Sequence, residues 1–333
     1  MKAFIVSSGT YAPERVVTNE EISGQLGLES EQIFKSSGIH RRHWASAGTP
    51  TSALAAPALA TAIAETGLTA ADIDYLLLGT MTPDRFIPGS APTVQKTLGL
   101  RPIPCLDIRA TCCNALYGLQ LAKSLVTSGV AQNVALCLAE IQSAWLDLTP
   151  ESGTTSMLFG DGAAALIISA EKKDSSLEIV DVLLATDGSF VDDLGIRSPG
   201  SEFAPDSTPD AAPGGDGKPR MNGHTVIRHA GRNIVQACET LLSRNNLTIE
   251  NIRWLVPHQA NANLLRQIAR GLNFPADEGG VVSVIEEYGN TSSASMGIAL
   301  DTLRRSGRIQ PGDYLLLPAF GAGFTWGAAL CQA

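Results

Sequence analysis

Along the chain, short apolar runs alternate with longer stretches in which apolar positions recur at helical spacing. The runs fall at 75–78, 134–138, 163–168 and 314–317, and the helical stretches at 52–66, 112–128, 224–244 and 294–306. Short buried strands separated by helices predict an α/β layered fold. The opening, MKAFIVSSGTYAPERVV, reads as a strand followed by a turn and lacks the long apolar core of a signal peptide. No apolar run is long and uninterrupted enough to span a bilayer, so no membrane partner is expected.

The pattern also repeats. GLTAADIDYLLLGT (67–80) resembles NLTIENIRWLVPHQ (246–259), TLGL (97–100) resembles ARGL (269–272), and GVAQNVALCL (129–138) resembles GRIQPGDYLLL (307–317). The three pairs keep their order, at offsets of about 172 to 180 residues. They predict a duplicated chain, with an N-terminal half at 1–170 and a C-terminal half at 171–333. One segment breaks the pattern: 198–219 is rich in Pro, Gly, Asp and Ser. It reads either as a flexible surface insertion or as a lid that contacts substrate.

Composition narrows the class. With 333 residues, 44% of them hydrophobic and 17% charged, the chain has material for a large core. A net charge of −9 argues against a nucleic-acid partner, which needs a basic face. The six cysteines (Cys105, Cys112, Cys113, Cys137, Cys238, Cys331) form no C-x-x-C pair, so no zinc site or redox motif is supported. Most lie in apolar runs, a usage that suits a reducing cytoplasm.

Three segments carry candidate chemistry. In DIRATCCNALYG (107–118) an apolar run ends near Ile108, and a helical pattern begins just after Cys112. A thiol at that turn would face the unpaired N–H groups and the dipole of a helix N-terminus, which favour the thiolate and lower its pKa. Such a thiolate is a competent nucleophile. The bland alternative is a buried structural cysteine, and the rival is Cys113, which points about 100° away on the same turn. In WLVPHQAN (254–261) an apolar strand delivers His258 at its C-terminal end, where α/β folds place ligands. A hydrogen-bonded structural histidine is the alternative there. In YGNTSSAS (288–295) Asn290 heads a helical run, as a cap or as a functional amide. The glycine stretches FGDGAAA (159–165) and FGAGFTWG (320–327) match neither nucleotide-binding fingerprint.

Together these segments resemble the β-ketoacyl-acyl-carrier-protein synthase III family, in the family's order and over nearly the whole chain. DIRATCC is similar to the nucleophile segment, WLVPHQAN to the histidine segment, YGNTSSAS to the asparagine segment, and GRIQPGDYLLLPAFGAGFTWGAAL to the C-terminal strand pair. The resemblance implies a five-layered αβαβα thiolase fold built from two duplicated halves, and a homodimer. It implies decarboxylative Claisen condensation of an acyl thioester, held on Cys112, with a malonyl-type thioester. His258 and Asn290 then stabilise the enolate, and the N–H groups of Cys112 and Ala322 form an oxyanion hole. No metal or organic cofactor is implied, because the thioester itself acidifies the α-carbon. Two other readings belong to the same fold: an acyltransferase passing the acyl group to an alcohol or amine, and a non-catalytic partner subunit.

The sequence also departs from the family. The family's W-I-x-x-R-T-G-I reads QIFKSSGI (32–39), so Gln32 and Ser36 replace a Trp and an Arg that grip coenzyme A. The residues after the nucleophile are Cys113 and Asn114, which with Ile87 are expected in the acyl pocket. These changes point to a specialised-pathway relative acting on coenzyme A or carrier-protein thioesters. Arg228 with Arg232 and Arg266 with Arg270 stand at i, i+4 spacing, each pair on one helix face, and are the expected contact with an acidic acyl carrier protein.

Overall fold

The structure, a computed structural model, describes residues 1–197, 200, 201, 217, 219–275 and 279–333. Among these, nine strands join into one sheet. Five come from the first part of the chain: β1 (Phe4–Tyr11), β2 (Tyr75–Gly79), β3 (Cys105–Ile108), β4 (Asn133–Glu140) and β5 (Gly162–Ser169). Four follow: β6 (Leu177–Thr186), β7 (Ile252–Leu255), β8 (Tyr314–Gly321) and β9 (Thr325–Gln332). The sheet order is β7-β8-β9-β6-β1-β5-β4-β2-β3.

Read outward from the β1/β6 junction, the two sides mirror each other. On one side β1, β5 and β4 pair antiparallel, and β2 and β3 then add in parallel. On the other, β6, β9 and β8 pair antiparallel, β7 adds in parallel, and Val281 bridges in parallel to Leu255 where β3 would have its counterpart. The junction itself is short, pairing Phe4 with Glu178 and Ile5 with Leu177.

Helices cover and separate the two sides. Helices α1 (Thr51–Ala64) and α2 (Ala91–Leu98) pack together, α1 on β1, β4 and β5. Between the sheet halves lie α3 (Asn114–Thr127), against β2, β4, β6 and β9, and α6 (Ser295–Arg305), against β1 and β5. On the far face α4 (Gly223–Arg244) covers β6, β8 and β9 and packs on α5 (Ala262–Gly271). The result is a five-layered αβαβα thiolase fold. The central layer explains the abundance of small residues. All eight residues of β5, GAAALIIS, are buried. A Cβ on Gly297 of α6 would stand 2.5 Å from the Ala164 Cβ and 3.4 Å from a Leu138 methyl.

The apolar runs and helical stretches read from the sequence fall on these elements. The thiol turn, His258 and the glycine turn follow the carboxyl ends of β3, β7 and β8, so three separate strands deliver side chains to one edge of the sheet. The 198–219 segment lies almost wholly outside the described residues.

Replacing Gly297 with Val should overpack the central layer and cost about 1–3 kcal/mol. Gly24 has open space around it, and Gly24→Ala should be neutral or stabilise by up to about 1 kcal/mol. Urea unfolding midpoints of the two variants test the contrast.

Candidate active site

Cys112 occupies a sharp turn. β3 ends at Ile108, a 3₁₀ turn covers Thr111–Cys113, and α3 begins at Asn114. Thr111 has φ 53°, in the left-handed region that β-branched residues avoid. Two contacts hold it there. The Thr111 hydroxyl donates to the Ala322 carbonyl at 3.2 Å, and the Asn114 Oδ1 accepts the Ala110 N–H at 2.6 Å. The glycine turn presses directly on the elbow: a Cβ on Gly321 would lie 2.3 Å from the Thr111 hydroxyl and 3.0 Å from the Cys112 nitrogen. Only a glycine allows the Gly321–Ala322 backbone this approach.

His258 and Asn290 are fixed by backbone and by serines. The His258 N–H donates to the Pro318 carbonyl at 2.9 Å, tying the histidine loop to β8. The Ser295 Oγ accepts the Gln259 N–H at 3.1 Å and lies 2.7 Å from His258 Nδ1. Burial holds the imidazole neutral by pushing its pKa down to about 4. With the Ser295 hydroxyl donating to Nδ1, the ring hydrogen sits on Nε2 and makes it a donor. Asn290 donates its N–H to the Leu158 carbonyl at 2.8 Å and accepts the Gly160 N–H at 3.1 Å. Its side-chain oxygen accepts the Ser292 N–H at 2.9 Å, leaving the amide NH₂ as the free donor end. Behind this loop the fully buried Arg42 donates to the Met157 carbonyl and to Asn19, bracing the Met157–Gly160 backbone that pairs with Asn290.

Cys112, His258 and Asn290 all line one cavity of about 600 Å³, together with Ala322, Ser292 and Phe320. The Cys112 Sγ lies 3.6 Å from the Ser292 hydroxyl. The expected depression of the thiol pKa is not found. Burial raises it to about 11, and the Ser292 hydrogen bond offsets this only in part. Desolvation outweighs the helix terminus, because α3 starts two residues after the thiol and the intervening turn is 3₁₀.

The expected acyl-pocket residues do not line the cavity. Cys113 is fully buried, with its Sγ on the Thr325 carbonyl at 3.4 Å, and Asn114 is fully buried behind the elbow. Ile87 points outward and is 77% exposed, while its neighbour Phe86 reaches the rim. At the mouth, Ser36 accepts amide hydrogens from Asn261 and Asn263 at its carbonyl, and no lining is contributed by Gln32. Ile196 and Pro219, flanking the proline-rich segment, also line the cavity. The four arginines are exposed and surround the point where α4 and α5 cross, with Gly231 of α4 seated against the Gln267 side chain of α5. Among the described residues no carboxylate pairs with any of the four.

The sequence reasoning passed over Ser292, Ser295, Arg42 and Glu140. Both serines sit inside the YGNTSSAS motif. Glu140 ends an otherwise apolar strand, a place where a charged side chain is a signal in itself.

This sheet order, and a nucleophile turn served by histidine and asparagine loops, define a thiolase-fold condensing enzyme. The family model for 3-oxoacyl-acyl-carrier-protein synthase III matches residues 106–188, and the model for its C-terminal part matches 242–333. β-Ketoacyl-acyl-carrier-protein synthase III of Nitratidesulfovibrio vulgaris is 39% identical, over 97% of each chain. The synthase III structure from Thermus thermophilus is 33% identical, with a TM-score of 0.88 over 98% of each chain. A priming β-ketosynthase of the R1128 polyketide pathway is 29% identical, with a TM-score of 0.88 over 99% of this chain and 96% of that one. The chain belongs to the β-ketoacyl-acyl-carrier-protein synthase III family.

Iodoacetamide at mildly alkaline pH should label Cys112 ahead of Cys113, which is sealed from the cavity. Peptide mapping should show the label on Cys112, Cys113→Ala should keep it, and Cys112→Ser should lose it. Labelling confined to Cys113 would reverse the assignment.

Proposed function

We propose that the chain condenses an acyl thioester with a malonyl-type thioester by decarboxylation, giving a β-ketoacyl thioester. The observation that carries the reading is the convergence of Cys112 and His258, each after a strand end, and Asn290, in the loop before α6, on one cavity. Cys112 attacks the acyl carbonyl, the bond to the carrier sulfur breaks, and the carrier thiol leaves with a proton. The Cys112 and Ala322 N–H groups receive the developing oxyanion, a contribution of about 3–4 kcal/mol for each donor. The malonyl thioester then binds with its carbonyl between the His258 Nε2–H and the Asn290 NH₂. Loss of CO₂ places charge on that oxygen; the carbanion attacks the acyl carbonyl, the new C–C bond forms as the acyl C–S bond to Cys112 breaks, and the Cys112 sulfur leaves and regains a proton. A neutral His258 that accepts the Ser295 hydroxyl at Nδ1 suits this role, because its Nε2–H is then a fixed donor for the enolate oxygen. Division of tasks follows the duplication: 1–170 brings the thiol, and 171–333 brings the enolate donors and the glycine turn.

Two features of the surface support partners. Strand β3 is an edge, Leu106 on it is 43% exposed, and Phe86 and Ile87 stand exposed on the loop that Asp107 ties down through the Ser90 and Ala91 N–H groups. An unpaired edge flanked by apolar side chains supports a homodimer through β3. The exposed arginines around the α4/α5 crossing, none paired with a carboxylate among the described residues, support docking of an acidic acyl carrier protein beside the mouth.

His258→Ala and Asn290→Ala should lower CO₂ release from a malonyl thioester by about 10²–10³-fold, while self-acylation of Cys112, followed by intact-protein mass spectrometry, persists. Equal loss of both half-reactions would assign His258 to thiol activation instead.

Arg228→Glu with Arg266→Glu should raise the KM for a carrier-bound substrate in a salt-sensitive way and leave a short pantetheine thioester nearly unchanged. Equal effects on both substrates, or none, would remove the arginines as a docking site.

A further inference from the structure

Glu140 closes β4 and is fully buried. Its carboxyl is used unevenly. Oε2 accepts the Met81 N–H at 3.0 Å, the Thr82 hydroxyl at 3.1 Å, the Gln142 amide at 3.3 Å and the Thr80 hydroxyl at 3.4 Å. Oε1 has no hydrogen-bond partner. One turn, Ser292–Ala294, packs both on β4 and on the Thr111–Cys113 elbow, and its Ser292 hydroxyl lies 3.6 Å from the Cys112 Sγ. Met81 and Thr82, which hold the carboxyl, line the same cavity as the thiol. Nothing in the condensation chemistry employs this group.

We propose that Glu140 is a positioning residue that acts through Cys112: the protonation state of its carboxyl sets how readily the thiol loses its proton. An unpartnered carboxylate oxygen in a dry site is costly, so the neutral acid, with its hydrogen on Oε1, is the favoured form. Burial accordingly raises the Glu140 pKa to about 7, against the hydrogen bonds that hold the carboxyl. When ionised, the carboxylate opposes a second negative charge at Cys112 and raises the thiol pKa. The groups that hold the carboxyl (Thr80, Met81, Thr82, Gln142) are neutral, and among the described groups its charge acts on the Cys112 thiol. The sign follows. Below about pH 7 Glu140 is neutral and leaves the thiol unopposed, and above it each further ionisation of Glu140 works against the thiolate.

The proposal rests on Cys112 being the reactive thiol, and the test separates the two. In wild-type protein the logarithm of the Cys112 alkylation rate should climb with pH at a slope below one as Glu140 titrates, between about pH 6 and 8, and recover above it. In Glu140→Gln, which keeps an acceptor for Met81 and Thr82, the dip should vanish. Its rate should equal wild type at about pH 6 and exceed it by about threefold to tenfold at about pH 8.5. A wild-type slope of one throughout, or parallel profiles for the two proteins, overturns the proposal while leaving Cys112 as nucleophile. Absence of label on Cys112 overturns the nucleophile assignment itself.

Discussion

The close approach of the Gly321–Ala322 turn to the Thr111–Cys112 elbow is the contact on which the site depends. β3 and β8 belong to opposite sides of the mirrored sheet, so the thiol and the glycine turn meet only if the two sides are held in register across the α3/α6 layer. Gly321 has no room for a Cβ, and Thr111 remains at positive φ because its hydroxyl is spent on the Ala322 carbonyl. The strain is local and costs of order 1–3 kcal/mol, set against a packed central layer that fixes both loops. Packing in that layer is therefore felt at the thiol.

Dehydration governs the electrostatics of this edge. Histidine, thiol and carboxyl are all shifted toward their neutral forms by burial. The site offers directed polar contacts: the Ser295 hydroxyl at His258 Nδ1, the Ser292 N–H to Asn290, and the Ser292 hydroxyl beside the thiol. Fixed donors stabilise charge that develops during reaction without reorganising when it appears. Burial favours the neutral thiol in the resting site.

Much of the fold was legible because periodicity records burial directly. Fully buried strands such as β5 appear as unbroken apolar runs, and the repeat offsets anticipate a sheet order that mirrors itself about β1 and β6. The segments bearing Cys112 and His258 were legible because each residue follows a strand end, and the one bearing Asn290 because it heads a helical run. Less was legible where the outcome depends on depth. Cys113 and Asn114 adjoin the nucleophile in sequence, yet the elbow turns them into the core, and Ile87 turns to the surface. The thiol pKa was misjudged for the same reason: a helix terminus can be read from a pattern, but the dehydration of one atom needs the whole packed site. Glu140 and Arg42 act from behind their loops, across contacts between elements far apart in sequence.

The placement of the departures from the family narrows where selectivity resides. Cys113 and Asn114 cannot meet an acyl chain, since both lie behind the elbow; they bear on reactivity only through the position of Cys112. Ser36 does line the cavity, and its carbonyl is engaged by Asn261 and Asn263 in a neutral hydrogen-bonded rim. Ile196, Pro219 and Met221, around the ends of the proline-rich segment, make the adjoining wall apolar. Arg85 and Arg109 also line the cavity, so cationic groups stand within it as well as outside it at the α4/α5 crossing. Cys112 and His258 thus sit at strand ends and Asn290 in a braced loop inside the cavity, whereas the departures at Ser36 and around the proline-rich segment lie at its rim, where substitutions leave the elbow undisturbed.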